Sequence, residues 1–181
     1  ATPLRPLSAD EIPAEPGYCM EMDEGRAFIV GAPLPTQHEA TEIQFGLQHH
    51  PDVKFRLVIS TNSGKLDEPL LARAARAEQT LAHIQHRFNK LRSGPRPVNG
   101  MEGQELVVAV HEADGARVHA LDWEALGKPT DPTAPSINLE GKTGYKGYKQ
   151  TDSSLSDTQL LKLWDAIAGS IRLRPTGPGP R

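Results

Sequence analysis

The stretch from Ser154 to Pro175 constrains the fold more than any other, because it specifies a helix together with both of its ends. Ser156 reads as the N-cap, its hydroxyl accepting from the amide three residues on, and Gln159 can reach back to close a capping box. Leu155 before the cap and Leu160 at the fourth helical position form a hydrophobic staple. Leu160, Trp164, Ile167 and Ile171 recur at the spacing of one buried stripe, with Leu163 beside it. Arg172 and Arg174 place positive charge where the helix C-terminus is partially negative, and Pro175 forbids continuation. Such a helix docks on a folded core. Nothing in it is catalytic.

A chain of 181 residues suits one domain with a real core and is short for two. Its net charge of -3 and pI near 6.2 argue against a dedicated nucleic-acid binder, whose footprint is usually basic. The charge is uneven: Ala1 to Glu42 holds eight carboxylates against Arg5 and Arg26. Lys65 to Arg96 holds seven Lys and Arg against Asp67, Glu68 and Glu78, which a solvated helix face explains. Cys19 is the lone cysteine, so no internal disulfide and no all-cysteine metal site is possible. No apolar run approaches a membrane span, and no signal peptide opens the chain. Compartment is therefore not readable from composition.

Residues 1–16 carry Pro3, Pro6, Pro13 and Pro16 and read as an extended leader or linker. Residues 17–175 read as a single folded domain, and residues 176–181 as a disordered tail. Tyr18 to Glu21 and Ala27 to Val30 look like short strands joined by Asp23-Glu24-Gly25. Ile43, Phe45 and Leu47 alternate with polar residues, as do Val53, Phe55, Leu57 and Ile59, with His49-His50-Pro51-Asp52 as the turn of a hairpin. Asp67-Glu68-Pro69 starts a long helix whose stripe is Leu70, Ala74, Ala77, Leu81, Ile84, Phe88 and Leu91. Its other face is Arg73, Arg76, Gln79, His83 and Arg87, and Ser93-Gly94-Pro95 ends it. Leu106, Val108 and Val110 alternate, Asp114-Gly115 turns, and Arg117 to Trp123 returns as a second hairpin. A proline-rich connection leads to a short strand around Ile137 and Leu139, then a Gly- and Lys-rich loop and the terminal helix. Without regular βαβ alternation, this order predicts an α+β domain, an antiparallel sheet built from hairpins with two helices packed on one face.

Catalytic and cofactor motifs are weak. Gly141-Lys142-Thr143 has Ser136 where a phosphate-binding loop needs glycine, and Ile137 and Leu139 alternate like a strand, so a polar loop is the better reading. Seven histidines include His83 and His86 on the long helix and His49-His50 in a turn, but no third ligand joins either pair. No serine has the flanks of a nucleophile elbow; Ser60 and Ser63 suit a turn. Cys19 at a strand start reads as a small core hydrophobe, and no histidine is singled out as its partner. The parts are those of a binding protein that needs no cofactor and no metal. The best recognition segment is Lys142 to Lys149, where Tyr145 and Tyr148 would anchor a protein partner and Lys146 and Lys149 would form the rim. The same loop could instead lay its tyrosines on the core.

Several phrases together resemble the C-terminal domain of the immunity proteins that neutralise type VI secretion lipase effectors, the Tle-cognate immunity group. They are Pro16-Gly17-Tyr18-Cys19 leading into a strand, then Val98-Asn99-Gly100-Met101-Glu102-Gly103-Gln104-Glu105, then Trp123. Pro135-x-Ile-x-Leu, Thr143-Gly144 and Leu163-Trp164-Asp165 follow, and Ser170-Ile171-Arg172-Leu173-Arg174-Pro175 closes the series. In family order they span roughly residues 16 to 175. The resemblance implies a non-catalytic periplasmic protein that binds a secreted phospholipase and blocks substrate access. The family's members carry a further N-terminal domain, so the chain is expected to be an excised C-terminal domain or a short relative. Asn99-Gly100 and Glu102-Gly103 read physically as tight turns with positive-φ glycines. Two alternatives stay open: a small-ligand or lipid-binding domain using the concave face of the sheet, and a hydrolase built on Cys19 and a histidine.

Overall fold

The structure, a computed structural model, describes residues 5–7, 18–22, 26–30, 40–61, 67–129, 131, 134–146 and 149–173, with side chains from residue 40 onward except that of Lys146. The tail read at 176–181 and most of the leader lie outside the described residues. The chain clusters into two compact units, Ala1–Thr36 with Leu173–Arg181, and Gln37–Arg172. In the first, β1 (Arg5–Leu7), β2 (Tyr18–Met22) and β3 (Arg26–Val30) form an antiparallel sheet in the order β1-β3-β2. Arg5 pairs with Ile29 and Tyr18 with Val30, so a strand lies inside the segment read as a leader.

The second unit is built on a six-stranded antiparallel sheet. Its strands are β4 (Ala40–Leu47), β5 (His50–Ser60), β6 (Phe88–Pro95), β7 (Gln104–His111), β8 (Arg117–Ala125) and β9 (Ser136–Lys142), in the order β4-β5-β9-β8-β7-β6. Both predicted hairpins form. The strand expected around Ile137 and Leu139 is longer than its signal and lies at the centre, between β5 and β8. Gly141, read as part of a polar loop, therefore sits inside this strand. A Cβ there would come within 3.0 Å of both Phe55 and Leu121, so only glycine fits without a shift of those side chains.

Helix α2 (Asp157–Ser170) starts where the sequence reading puts it and ends sooner, with Ile171 as C-cap and Arg172 beyond the last turn. Ser156 accepts from the Gln159 amide and Gln159 completes the capping box. Leu155, Leu160, Trp164 and Ala168 are buried. Ile167 and Ile171 pack at the margin of the core. At the other end the helix borrows a cap: Asn99 donates through Nδ2 to the carbonyls of Gly169 at 2.9 Å and Ile171 at 2.7 Å. Asn99 and Gly100 both have positive φ, 46° and 83°, which makes the tight turn that aims this side chain. Gly103 is different from the reading. Its φ is not positive; a Cβ there would sit 2.6 Å from Nε1 of the Trp123 indole, so close approach is what requires glycine.

Helix α1 departs most from expectation. It spans Leu70–Thr80, then gives way to a 3-10 segment at Ala82–Arg87 and to β6. Phe88 and Leu91, read as the end of the helical stripe, are strand residues, and Phe88 pairs with Val110. Extending the helix would leave the backbone of β7 unpaired along one side, so the ladder from Phe88 to Pro95 wins over a helix with no side-chain cap. Ser93, Gly94 and Pro95 accordingly belong to a strand.

The two helices take opposite faces rather than one. In β7, Glu105, Val107 and Ala109 point to the α2 side, where Trp164 bonds Glu105. Leu106 and Val108 point the other way and, with Ala74 and Ala77 of α1, line a cavity of about 250 Å³. The α2 face carries the core; the α1 face is charged across β8, β9 and β5. Among the described residues, no helix is long and apolar enough to cross a membrane.

Candidate functional site

The segment read as a recognition loop forms a short antiparallel pair, β10 (Tyr145–Lys146) with β11 (Lys149–Gln150), Tyr145 opposite Gln150 and Lys146 opposite Lys149. Tyr145 is half-buried, and its hydroxyl accepts from Gln150 Nε2 at 3.4 Å. Lys149 is exposed. Lys146 is placed by its backbone, and Tyr148 lies outside the described residues. Of the four predicted contact residues, three therefore share one hairpin.

What holds this hairpin was missed in the sequence. Asp52, read as a turn residue, is buried and accepts from the Gly144 amide at 3.1 Å, the Ser154 amide at 3.0 Å and the Ser154 hydroxyl at 2.5 Å. One carboxylate thus ties the base of the hairpin to β5 and to the approach of α2. Burial pushes the Asp52 carboxyl up, but the bonds from Ser154 and Gly144 outweigh it and hold the group below its usual range. Gly144 closes the hairpin by accepting from Thr151 at 2.9 Å. Its φ of 82° and the Val118 methyl, 2.4 Å from where a Cβ would stand, both demand glycine.

Below the hairpin lies a buried polar chain with the order nucleophile, base, acid. Thr143 Oγ1 is 2.8 Å from His119 Nδ1, and His119 Nε2 is 3.0 Å from Asp157 Oδ1. Two features make it a clamp. Thr143 and His119 are 0% and 2% exposed, so no substrate atom reaches the hydroxyl, and that hydroxyl also accepts from the His119 amide at 3.0 Å. Asp157 occupies the first turn of α2, where a carboxylate is favoured by the helix dipole, and Arg117 donates to both its oxygens at 2.6 Å. The bond to His119, assisted by Arg117, holds the Asp157 carboxyl below its usual range.

A second hub lies under the middle of α2. Glu105, 2% exposed, accepts from Trp164 Nε1 at 2.6 Å and pairs with Arg96 and, at 3.4 Å, with Arg92. Both arginines also reach Asp165, at 2.9 and 2.6 Å, and Arg92 foremost keeps that carboxyl below its usual range. The described cations of the basic stretch are thus paired internally. Arg73 forks onto Glu124 with two bonds of 3.1 Å, Arg76 pairs with Glu68 and Arg87 with Glu112. Among the described residues, no three His, Cys, Asp or Glu side chains converge as a metal set. His49 is exposed, and His50 bonds the Ser154 hydroxyl at 2.8 Å. Cys19 lies on β2 with its side chain outside the description.

The apolar cavity beside α1 is smaller than the roughly 300–1,000 Å³ of ordinary small-molecule sites. A second, more polar cavity of about 400 Å³, beside Pro69, Gly103 and Glu124, lies within that range.

Comparison with known proteins agrees with the residue-level resemblance. The profile of the Tle cognate immunity protein 4 C-terminal domain matches residues 11–176. The immunity protein TplEi of the type VI secretion system of Pseudomonas aeruginosa, solved with an "L" peptide, superposes with a TM-score of 0.74 at 31% identity over 96% of this chain. Its apo structure gives 0.75 at 30% identity, again over 96%. The Tle4-Tli4 complex gives 0.75 at 31% identity over 96% of this chain. This chain covers 59%, 55% and 56% of those chains, so it spans little more than half the length of the relatives it matches. No protein of curated function matches it by sequence. The match over 11–176, on a shared fold at about 30% identity, places the chain in the family of Tle cognate immunity protein 4 C-terminal domains.

Proposed function

We propose that this chain binds a type VI secretion lipase effector in the periplasm and inhibits it by steric occlusion, with no chemistry of its own. The observation that carries this reading is the superposition of 96% of the chain on the Tle4-Tli4 complex structure at 31% identity. The buried Thr143–His119 pair supports the non-catalytic part, because the Thr143 hydroxyl beside that imidazole has no access to solvent. Contact is made by the β10–β11 hairpin, with Tyr145 and Tyr148 as anchors and Lys146 and Lys149 at the rim. Asp52 ties the base of that hairpin to β5 through the Gly144 amide, which supports Tyr145 as an anchor.

The test is to mix the purified chain with the lipase effector encoded beside it and follow the pair on a sizing column. A one-to-one complex is expected. Replacing both tyrosines by alanine should weaken the complex at least tenfold, the size typical of losing interface anchors, while the circular dichroism spectrum stays unchanged. A double variant that binds as tightly as the parent would remove the hairpin from the interface.

A further inference from the structure

The edges of a sheet present unpaired amides and carbonyls to any chain able to add a strand. The two edges of the six-stranded sheet are built differently. Strand β6 is interrupted by a bulge between Lys90 and Arg92, exposes Lys90 and ends in Pro95, three devices that discourage pairing. Strand β4 has none of them before Gly46. Ala40 to Gly46 run in unbroken register with β5 and include no Lys, Arg or Pro. No described strand pairs with its outer side.

The side chains of β4 alternate by chemistry. Ile43 and Phe45, 40% and 39% exposed, lie on the α2 face; Glu42 and Gln44 lie on the other. Phe45 stacks on Phe55 with ring centroids 5.3 Å apart, and Phe55 on Trp164 at 6.5 Å. The core thus runs outward to this edge and stops there with its last two apolar side chains open. On the opposite face, Arg56 serves both Glu42, at 2.7 Å, and Glu140, at 3.2 Å. Two carboxylates share one guanidinium near Glu42, which leaves excess negative charge at that end of the edge, while Lys54 stands on the same face opposite Gly46.

We propose that β4 is a docking edge to which an extended segment of the lipase effector adds as a further strand. The segment carries bulky apolar side chains at alternate positions, over Ile43 and Phe45, and Lys or Arg on the face beside Glu42. Main-chain bonds supply affinity in such an addition and the alternating side chains supply selectivity. A second copy of the chain fits this edge less well, because Ala40–Leu47 holds a carboxylate and no base and so offers Glu42 no cation. This inference rests on the immunity reading.

Hydrogen exchange measured on the free chain and on its complex with the effector tests it. The outward amides of Ala40–Leu47 should exchange at least tenfold more slowly in the complex, and those of β6 should not change. Ile43→Lys should raise Kd tenfold or more with no shift in Tm, since the side chain is already solvent-accessible; Glu42→Lys should raise it less. A complex that forms while β4 exchange is unchanged overturns the docking edge and leaves the immunity reading intact. Slowed β4 exchange in the free chain that grows with protein concentration assigns the edge to a second copy and overturns it equally. Absence of any complex removes the immunity reading and this partner with it.

Discussion

The two helices cover opposite faces of one sheet and do so by different means. Helix α2 has a side-chain cap at its start, a borrowed Asn99 cap at its end and three fully buried side chains, Leu160, Trp164 and Ala168. Helix α1 has no side-chain cap, buries only Leu70, and leans on the sheet through alanines and the Arg73–Glu124 fork. Both have apolar stripes of helical period. Periodicity built on alanine buries little area per residue, so it cannot hold a helix against a strand ladder that needs the same residues. Periodicity built on Leu, Trp and Ile, closed at both ends, can.

The sharpest way to break this contrast is Trp164→Ala. Losing the indole opens a cavity in the core and leaves Glu105 short of a donor, so unfolding in urea should cost about 3–5 kcal/mol less. Leu81→Ala on the α1 side, where the side chain is exposed, should change stability by no more than about 0.5 kcal/mol. Comparable losses for both would contradict the asymmetry.

Two carboxylates, one on each face, should respond oppositely to acid. On the α1 face Asp122 is pushed up to about 6, chiefly by burial, with Glu140 and Glu124 adding to it against a bond from Asn138. Its folded value exceeds its unfolded value of 3.8, so the folded state binds the proton first and stability rises as pH falls through this window. Asp122→Asn should therefore stabilise by about 1–3 kcal/mol at pH 7 and by nothing near pH 4. On the α2 face Asp157 is held low, first by His119, so its contribution is present above the ordinary carboxylate value and lost as pH falls through the depressed one. Thermal melts of Asp122→Asn and Asp157→Asn across pH 3–7 should diverge, the first gaining at neutral pH and the second losing there.

Two smaller effects belong to the α2 face. Glu105→Gln keeps the shape but removes the charge facing Arg92 and Arg96, and should cost about 1–3 kcal/mol. Ser156→Ala should cost about 1 kcal/mol by removing the cap. Equilibrium unfolding measures both.

The start of α2 was readable because Leu155, Ser156 and Gln159 are local to it; its end was not, because the Asn99 that caps it lies 70 positions from Gly169. The hairpins were readable for the same reason as that start. The clamps were not, because their partners are far apart in the chain: Asp52 and Ser154 are separated by 102 positions, Glu105 and Trp164 by 59. Asp52 in a turn and Glu105 in an apolar alternation look like ordinary solvent-facing residues until the fold buries them. The central place of β9 was hidden likewise, since pairing partners are chosen by the whole sheet and not by the strand. The Lys142–Lys149 segment stood out by composition as a loop; its pairing of Tyr145 with Gln150 and its tie to Asp52 were not readable.

Inhibition by binding can be read out by titrating this chain into a fixed amount of the effector while following phospholipid hydrolysis. Activity should fall linearly to zero at one equivalent, with no effect of the chain on the phospholipid alone. Activity that persists undiminished at several equivalents would contradict it.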